Sequence, residues 1–200
     1  MTKALLVMDI INDIAHESGK VGKDGFYIEA KKRKIIDNTK KVINHARELK
    51  FKIIYVVIGF SENYEEWNEK SLLFKKVKSD RQVMFNTWGT QVCDDIAPQK
   101  GDLVIKKNRI DPFYNTNLEL VLRNLKINEL YLTGISTDLV ILSTVLSAHD
   151  RDFKVHTIED CTSANSKQSH DNAINIISNL SDIVNVNEFL KKELRYEGDL

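Results

Sequence analysis

Short apolar runs alternate with amphipathic segments along most of the chain. The apolar runs predict buried β-strands at residues 4–10, 51–58, 103–105, 130–133, 154–158 and 183–186. Between them, apolar positions recur at steps of three and four, which predicts helices at residues 28–50, 117–125, 138–151, 166–179 and 188–195. Strands that alternate with helices imply a parallel sheet covered on both faces. We therefore predict an α/β fold: one domain over residues 1–200, three layers α/β/α, and a mostly parallel, Rossmann-like sheet.

Two segments interrupt this pattern. Residues after Asp13 are polar and contain Gly19, Gly22 and Gly25, which predicts a loop. They lack the Lys-Ser/Thr of a phosphate-binding loop. Residues 59–99 predict a long, partly helical excursion over the carboxyl edge of the sheet. The excursion carries aromatic residues that include Trp67, Phe74, Phe85 and Trp88. These residues either line a pocket or anchor the excursion to the core, and the sequence favours neither alternative.

The composition argues against several classes of protein. Of the 200 residues 42% are hydrophobic, enough for a stable core without disulfides. Lys and Arg number 29, as do Asp and Glu, so no broad basic face for nucleic acid is expected. Cys93 and Cys161 have no CxxC spacing, which argues against a zinc site and a secreted scaffold. No apolar run reaches membrane-spanning length and the amino terminus does not resemble a signal peptide, so we expect no membrane and a cytoplasmic protein.

The stretch LYLTGISTDLVILST, residues 130–144, is the centre of the predicted fold. An apolar strand ends at Gly134, and Ser136, Thr137 and Asp138 then stand where a helix begins. A tight strand-to-helix turn leaves backbone N–H groups unpaired, and these can stabilise a negative charge. Such a turn is a common place for a nucleophile and its oxyanion donors.

Two other predicted strand ends carry charged residues. Asp9 ends the first strand, and Lys107 follows the third. The carboxyl ends of parallel strands meet at one edge of the sheet, where ligands bind. A carboxylate beside an ammonium in a partly dry cleft can act as an acid–base pair. From the residues alone, a purely structural ion pair is an equal alternative.

Three motifs, in order along nearly the whole chain, resemble those of the isochorismatase-like hydrolase superfamily, also called cysteine hydrolases. They are LLVMDIINDI from residue 5, LVIKKNRIDPFYNTNLE from residue 103 and LTGISTDLVILST from residue 132. The superfamily includes nicotinamidases, carbamoylsarcosine amidases and isochorismatases. The resemblance implies a hydrolase that acts on a small molecule without a cofactor, as a homodimer or homotetramer.

The resemblance also assigns roles to individual residues. Asp9 matches the aspartate of the family triad, Lys107 its lysine, and Val140 the position of the nucleophilic cysteine. The backbone amides of Ser136 and Val140 are implied as oxyanion donors. The peptide bond between Ile135 and Ser136 is implied to be cis. An isopropyl group cannot attack a carbonyl, so thiolate chemistry at Val140 is excluded.

Three further residues are expected in the substrate pocket. Asn12 lies in the first motif, Trp88 in the long excursion and Phe113 in the second motif. The opening motif has a polar Asn-Asp pair after the aspartate in the family, and the second motif has an aromatic residue after the lysine. We expect all three to face a small-molecule ligand.

Other side chains are weak candidates for a replacement nucleophile. Ser136, Thr137 and Ser143 carry hydroxyls, but Thr137 is typical of a helix cap and Ser143 of helix packing. Cys93 lies in the excursion, and Cys161 follows a later predicted strand. None stands where the family has its thiol.

The resemblance also narrows the substrate. Family isochorismatases lack the cysteine as well, but they carry an Ala-His pair where this chain has Ser136 and Thr137, so a chorismate-type substrate is not expected. The segment GFSENYEEWNEK has no histidine for the metal of a metal-dependent nicotinamidase, so no metal is expected. Three hypotheses remain. The first is a hydrolase of an amide-type C–N bond or an ether bond that uses Asp9 and Lys107, and the second is an inactive protein that binds a small ligand. The third is a purely structural oligomerisation module.

Overall fold

The computed structural model describes residues 2–192. Within this range six strands are present: β1 (Thr2–Met8), β2 (Lys52–Ile58), β3 (Leu103–Lys107), β4 (Ile127–Ile135), β5 (Lys154–Ser163) and β6 (Asp182–Val184). The helices are α1 (Asn12–Ala15), α2 (Phe26–Lys32), α3 (Ile35–Glu48), α4 (Leu118–Asn124), α5 (Leu142–His149), α6 (Lys167–Ile177) and α7 (Val186–Leu190). The predicted α/β class is confirmed.

The six strands form one sheet in the order β3-β2-β1-β4-β5-β6, and every neighbouring pair is parallel. The chain builds outwards from β1 to β3 and then returns to place β4 on the other side of β1. The strand order therefore reverses between β1 and β4. In open parallel sheets, ligands bind at the carboxyl ends of the strands at such a reversal.

The core consists of two apolar layers, one on each face of the sheet. Successive side chains of a strand point to opposite faces, so Leu5 and Val7 of β1 join one cluster while Leu6 and Met8 join the other. The first cluster takes up the buried sides of α2, α3 and α7, and the second those of α4, α5 and α6. The sheet is therefore covered on both faces, as a continuous apolar β1 requires.

One continuous helix over residues 28–50 was predicted, and this is wrong. The chain breaks between α2 and α3, where Lys34 has a positive φ of 55°. The break places Arg33 against β5, where its guanidinium donates to the carbonyls of Thr162 (2.9 Å) and Glu159 (3.1 Å). These contacts are tertiary, so the amphipathic pattern of the sequence did not reveal them.

The fifth strand was predicted to end at residue 158 with Glu159 and Asp160 at its tip, but β5 continues through both to Ser163. The Asp160 carboxylate accepts a bond from the N–H of Val186, the first residue of α7, at 3.0 Å. A carboxylate at a helix start is favourable, which lets an acidic residue lie within the strand. The neighbouring β4 is also longer than its predicted range of 130–133.

The excursion over residues 59–99 is less helical than expected. Its helical pieces are two 3₁₀ turns, Trp88–Thr90 and Asp94–Ile96. The closing helix was predicted at residues 188–195, whereas α7 ends at Leu190 and residues 193–195 lie outside the described range. None of the helices in residues 2–192 has the length and apolar character to cross a membrane.

Candidate active site

Asp9 and Lys107 form a buried ion pair across the carboxyl ends of three neighbouring strands. Lys107 Nζ donates to Asp9 Oδ2 at 2.7 Å, and neither side chain is more than 4% exposed. Strand β2 lies between β1 and β3, and the N–H of its last residue, Ile58, donates to Asp9 Oδ1 at 2.7 Å. The two charged residues predicted from the sequence therefore meet, even though their strands do not pair directly.

The surroundings of this pair hold Lys107 in place while leaving Asp9 able to take up a proton. The three N–H bonds of the ammonium go to Asp9 and to the carbonyls of Arg109 (3.1 Å) and Ile110 (3.0 Å). Each Asp9 oxygen accepts one bond and retains a second lone-pair site. Burial raises the pKa of Asp9 and outweighs the opposing effects of Lys107 and the Ile58 N–H. A carboxyl with a raised pKa is suited to general acid–base chemistry.

The turn after β4 forms the next part of the site. The peptide bond between Ile135 and Ser136 is cis, as the resemblance implied. The following residues, Thr137–Ile141, form a π-type turn in which the Ile141 N–H donates to the Ser136 carbonyl at 3.1 Å, and α5 begins only at Leu142. The helix predicted from residue 138 therefore begins with this wider turn. Wide turns of this kind are frequent at functional sites.

A hydrogen-bonded chain supports the turn from behind. The Thr137 hydroxyl hydrogen-bonds His170 Nδ1 at 2.8 Å, and His170 Nε2 lies 3.5 Å from Glu159 Oε1. Thr137 is fully buried and His170 almost so. Burial lowers the pKa of His170, so the imidazole is neutral at pH 7. This series of hydrogen-bonded side chains connects α6 and β5 to the turn.

Asp9, Lys107, Ser136 and Val140 all line one cavity of about 330 Å³. Most of the remaining wall is apolar, and its residues come from several strand ends, helices and irregular segments: Ile14, Val21, Phe26, Ile58, Leu72, Leu73, Phe74, Val77, Val83, Ile110, Ile135 and Leu139. Its volume and mixed lining are typical of a small-molecule site. The carboxyl–ammonium pair therefore faces a space that a ligand can occupy.

The structure does not bring the three expected pocket residues to this cavity. The Asn12 side chain instead donates to the Trp88 carbonyl at 3.0 Å, and the half-exposed Trp88 ring packs edge-on against His16. Phe113 stacks on Phe153 within the core cluster on the α4–α6 face of the sheet. None of the three lines the cavity.

The sequence missed other residues that do line the cavity. Of the six aromatic residues of the excursion, Phe74 alone reaches the wall. Gln82, from the same excursion, and Val21 and Phe26, from the segment predicted as a loop, also line it. A single glutamine in an irregular segment carries no periodic signal. The fold of the excursion was needed to place it.

The candidate replacement nucleophiles differ in their access to the cavity. Cys93 and Cys161 are buried free thiols outside the cavity wall, and burial raises the pKa of each to about 12. Thr137 is buried behind the turn, and Ser143 lines a neighbouring groove. Of these candidates, Ser136 alone lines the cavity. Within residues 2–192 no group of three or more His, Cys, Asp or Glu side chains could hold a metal ion.

Solved structures with similar folds include two of known class. A cysteine hydrolase from Pseudomonas syringae pv. phaseolicola 1448A superposes with a TM-score of 0.83 at 18% identity, covering 94% of this chain and 91% of that one. The N-carbamoylsarcosine amidase from Thermoplasma acidophilum gives a TM-score of 0.73 at 23% identity, covering 99% and 100% of the two chains. At these identities the likeness establishes the shared fold.

Sequence comparison establishes the family. The ureidoacrylate amidohydrolase RutB of Agrobacterium fabrum (strain C58 / ATCC 33970) is 30% identical over 171 residues, which cover 80% of this chain and 75% of that protein. The family model of the isochorismatase domain matches residues 3–188. The protein whose Asp9 and Lys107 meet at the carboxyl edge of the sheet therefore belongs to the isochorismatase family.

Proposed function

We propose that this protein is a hydrolase of a small-molecule substrate with an amide-type C–N bond or an ether bond, and that it works by acid–base chemistry without a cysteine nucleophile. The observation that carries the proposal is the Asp9–Lys107 ion pair, 2.7 Å between Nζ and Oδ2, in the wall of an apolar cavity. A structural ion pair has no need of an adjoining cavity. An acid–base pair requires one.

For an amide, the reaction begins with a water molecule held by the Asp9 carboxylate. The carboxylate takes a proton from the water as the water oxygen attacks the carbonyl carbon of the substrate. The backbone amides of Ser136 and Val140 stabilise the resulting oxyanion. Protonated Asp9 then gives the proton to the leaving nitrogen as the C–N bond breaks. The products are a carboxylic acid and an amine. Lys107 keeps Asp9 in position and balances its charge, because all three of its N–H bonds are engaged.

An amide-type bond is supported by the similar proteins described above. One is named as a ureidoacrylate amidohydrolase and another as an N-carbamoylsarcosine amidase. Both names denote cleavage at a nitrogen-bound carbonyl. The apolar cavity wall suits a substrate with a compact apolar body beside that group.

The alternative is a binding protein without turnover. Val140, at the place of the family thiol, favours it: its side chain is 2% exposed and packs with the core cluster on the α4–α6 face. Loss of a nucleophile from an otherwise intact pocket is compatible with a protein that binds a ligand and leaves it unchanged.

The proposal is tested by removing the base. The purified protein is screened against amides, ureides and enol ethers, together with Asp9→Asn. That single substitution leaves the Lys107 cation buried without its counter-charge, at a cost of about 3–5 kcal/mol. A double variant, Asp9→Asn with Lys107→Met, removes both charges and is expected to fold normally.

We expect turnover by the wild type and none by either variant, with the fold of each checked by circular dichroism. The reaction requires ionised Asp9, so kcat/KM should fall as the pH falls and Asp9 takes up a proton. Because burial raises the pKa of Asp9, this fall should begin at a higher pH than the ordinary aspartate pKa of about 4 would give. Turnover that persists in the double variant contradicts the proposal. Binding without turnover of any substrate class favours the alternative.

A further inference from the structure

Seven residues with polar side chains line the cavity: Asp9, Asp24, Lys75, Lys76, Gln82, Lys107 and Ser136. They differ in whether their hydrogen-bonding groups already have partners. Asp9 and Lys107 bond each other. Asp24, Lys75 and Lys76 are exposed at the mouth, where water satisfies them. The remaining two, Ser136 and Gln82, are more than nine-tenths buried.

The Ser136 hydroxyl is buried without a partner, in a residue that lines the cavity. The residue is 5% exposed, and its Oγ has no hydrogen bond within the part of the chain that the structure describes. Its backbone is fixed, because its carbonyl accepts the Ile141 N–H and the next residue, Thr137, is bonded to His170. The backbone of Ser136 is therefore held at the wall by its neighbours.

The Gln82 carboxamide also lacks a partner, although it is not fully enclosed as the Ser136 hydroxyl is. The residue is 8% exposed, its N–H donates to the Val77 carbonyl at 2.9 Å, and its carbonyl accepts the Tyr64 hydroxyl at 2.9 Å. These two bonds fix the backbone. Across residues 2–192 the side-chain carboxamide has no hydrogen-bond partner, while it lines the cavity.

Buried polar groups without partners are costly. An unsatisfied donor or acceptor costs about 1–3 kcal/mol, and native proteins contain few of them. The Ser136 hydroxyl is such a group, and Gln82 adds a carboxamide without a partner to the same cavity wall. A ligand that donates and accepts hydrogen bonds can supply the missing partners. We propose that Ser136 and Gln82 are specificity-determining residues that hydrogen-bond a neutral amide or ureide group of the ligand.

The chemistry of the wall favours a neutral group over an anion. The carboxamide offers both donors and an acceptor, and the hydroxyl offers one donor and two acceptor sites, which an amide or ureide can match. The ammonium of Lys107 has no N–H left for a ligand, so a carboxylate deep in the cavity would lie beside Asp9 without a cation of its own. The inference rests on the amide-type substrate proposed above but does not require turnover.

The test measures binding of benzamide and of benzoate by isothermal titration calorimetry. The two probes share an apolar ring and a planar polar end, but only benzamide has N–H donors. The variants are Ser136→Ala and Gln82→Met. Ser163→Ala is the matched control for the first, because the Ser163 hydroxyl is also buried and unpartnered among residues 2–192 but lines no part of this cavity. Gln99→Met, at an exposed glutamine, is the control for the second.

We expect wild type and both controls to bind benzamide more tightly than benzoate, and each test variant to bind benzamide about 3- to 10-fold more weakly, the range for one lost hydrogen bond. Thermal unfolding should show Ser136→Ala as stable as wild type or more so, because the variant loses an unsatisfied buried group. Equal affinities in wild type and both test variants would overturn the inference, as would preference for benzoate or no binding of benzamide by the wild type.

These outcomes are separate from those of the proposed function. Binding of benzamide that depends on Ser136 and Gln82, without hydrolysis of any amide, supports this inference and contradicts the hydrolase. Amide hydrolysis with a KM unchanged in both test variants supports the hydrolase and contradicts this inference.

Discussion

Val140 decides which chemistry is open to this site. It lines the same cavity as Asp9 and Lys107, where the family resemblance places a thiol. Its carbonyl accepts a bond from the Thr144 hydroxyl at 2.5 Å, and its side chain packs in the core. In the proposed mechanism, an aliphatic group at this position leaves the carboxyl as the reactive group and water as the nucleophile.

We predict that Val140→Cys gains hydrolytic activity on an activated ester such as p-nitrophenyl acetate, at least about 10-fold above wild type, because a thiol beside a base is a strong nucleophile. Val140→Ala is the control, since it enlarges the cavity without adding sulfur. Initial rates at neutral pH provide the measurement. The native thiols contribute little background, because burial raises the pKa of Cys93 and of Cys161 to about 12. Equal rates for the two variants would show that the turn does not present a side chain for attack.

At the scale of elements, the site depends on how closely the ends of β1 and β4 approach each other. Gly134 pairs with Met8 in the parallel register and has a φ of 155°. A Cβ on Gly134 would lie 2.4 Å from the Met8 carbonyl oxygen, a backbone atom held in the sheet. Glycine is required here, and the close approach it allows places the turn beside Asp9.

We therefore predict that Gly134→Ala destabilises the protein by about 2–5 kcal/mol, the sum of a strained backbone and an atomic overlap. Gly101→Ala is the matched control: its φ is 100°, but no atom lies within 4 Å of the added Cβ. It should lose only about 1–2 kcal/mol. Urea unfolding monitored by circular dichroism measures both. Similar losses in the two variants would mean that the approach of β1 and β4 is not tight.

At the scale of the whole molecule, polar side chains connect the helical layers to the sheet. Arg33, at the break between α2 and α3, lies 3.5 Å from Glu159 of β5, and Glu159 lies 3.5 Å from His170 of α6. His170 in turn bonds Thr137 behind the active-site turn. Elements from both faces of the sheet thus converge on the turn. The predicted homodimer or homotetramer remains a prediction.

The stability of the whole protein should depend on pH through His170. Its pKa is lowered in the folded state, chiefly by burial, so between the folded and unfolded pKa values the unfolded chain binds more protons. Stability is therefore lost as the pH falls through about 6.5, by up to about 1.4 kcal/mol per pH unit.

We predict that His170→Asn, which keeps a polar group near Thr137, reduces this loss. Urea unfolding at pH 5, 6 and 7.5 measures the effect, with His149→Asn, at an exposed histidine, as the control. The stability advantage of wild type over His170→Asn should shrink as the pH falls. A difference that stays constant from pH 7.5 to 5 would contradict a neutral buried His170.

The sequence predicted elements well where a local pattern forms them. Continuous apolar runs marked all six strands within residues 2–192, since a strand buried on both faces needs apolar residues throughout. Positions where distant segments meet were less predictable. The break at Arg33 and the extension of β5 past Asp160 both depend on contacts between elements.

The same division holds for the site. Asp9, Lys107 and the turn at Ser136 and Val140 were found from the sequence because each lies at the end of a strand, and the ends of parallel strands share one edge. The rest of the wall comes from irregular segments that carry no period. The sequence by itself determined which charged groups meet. Only the tertiary structure decided which other residues face them, because the excursion brings Gln82 to the cavity and leaves Trp88 outside it.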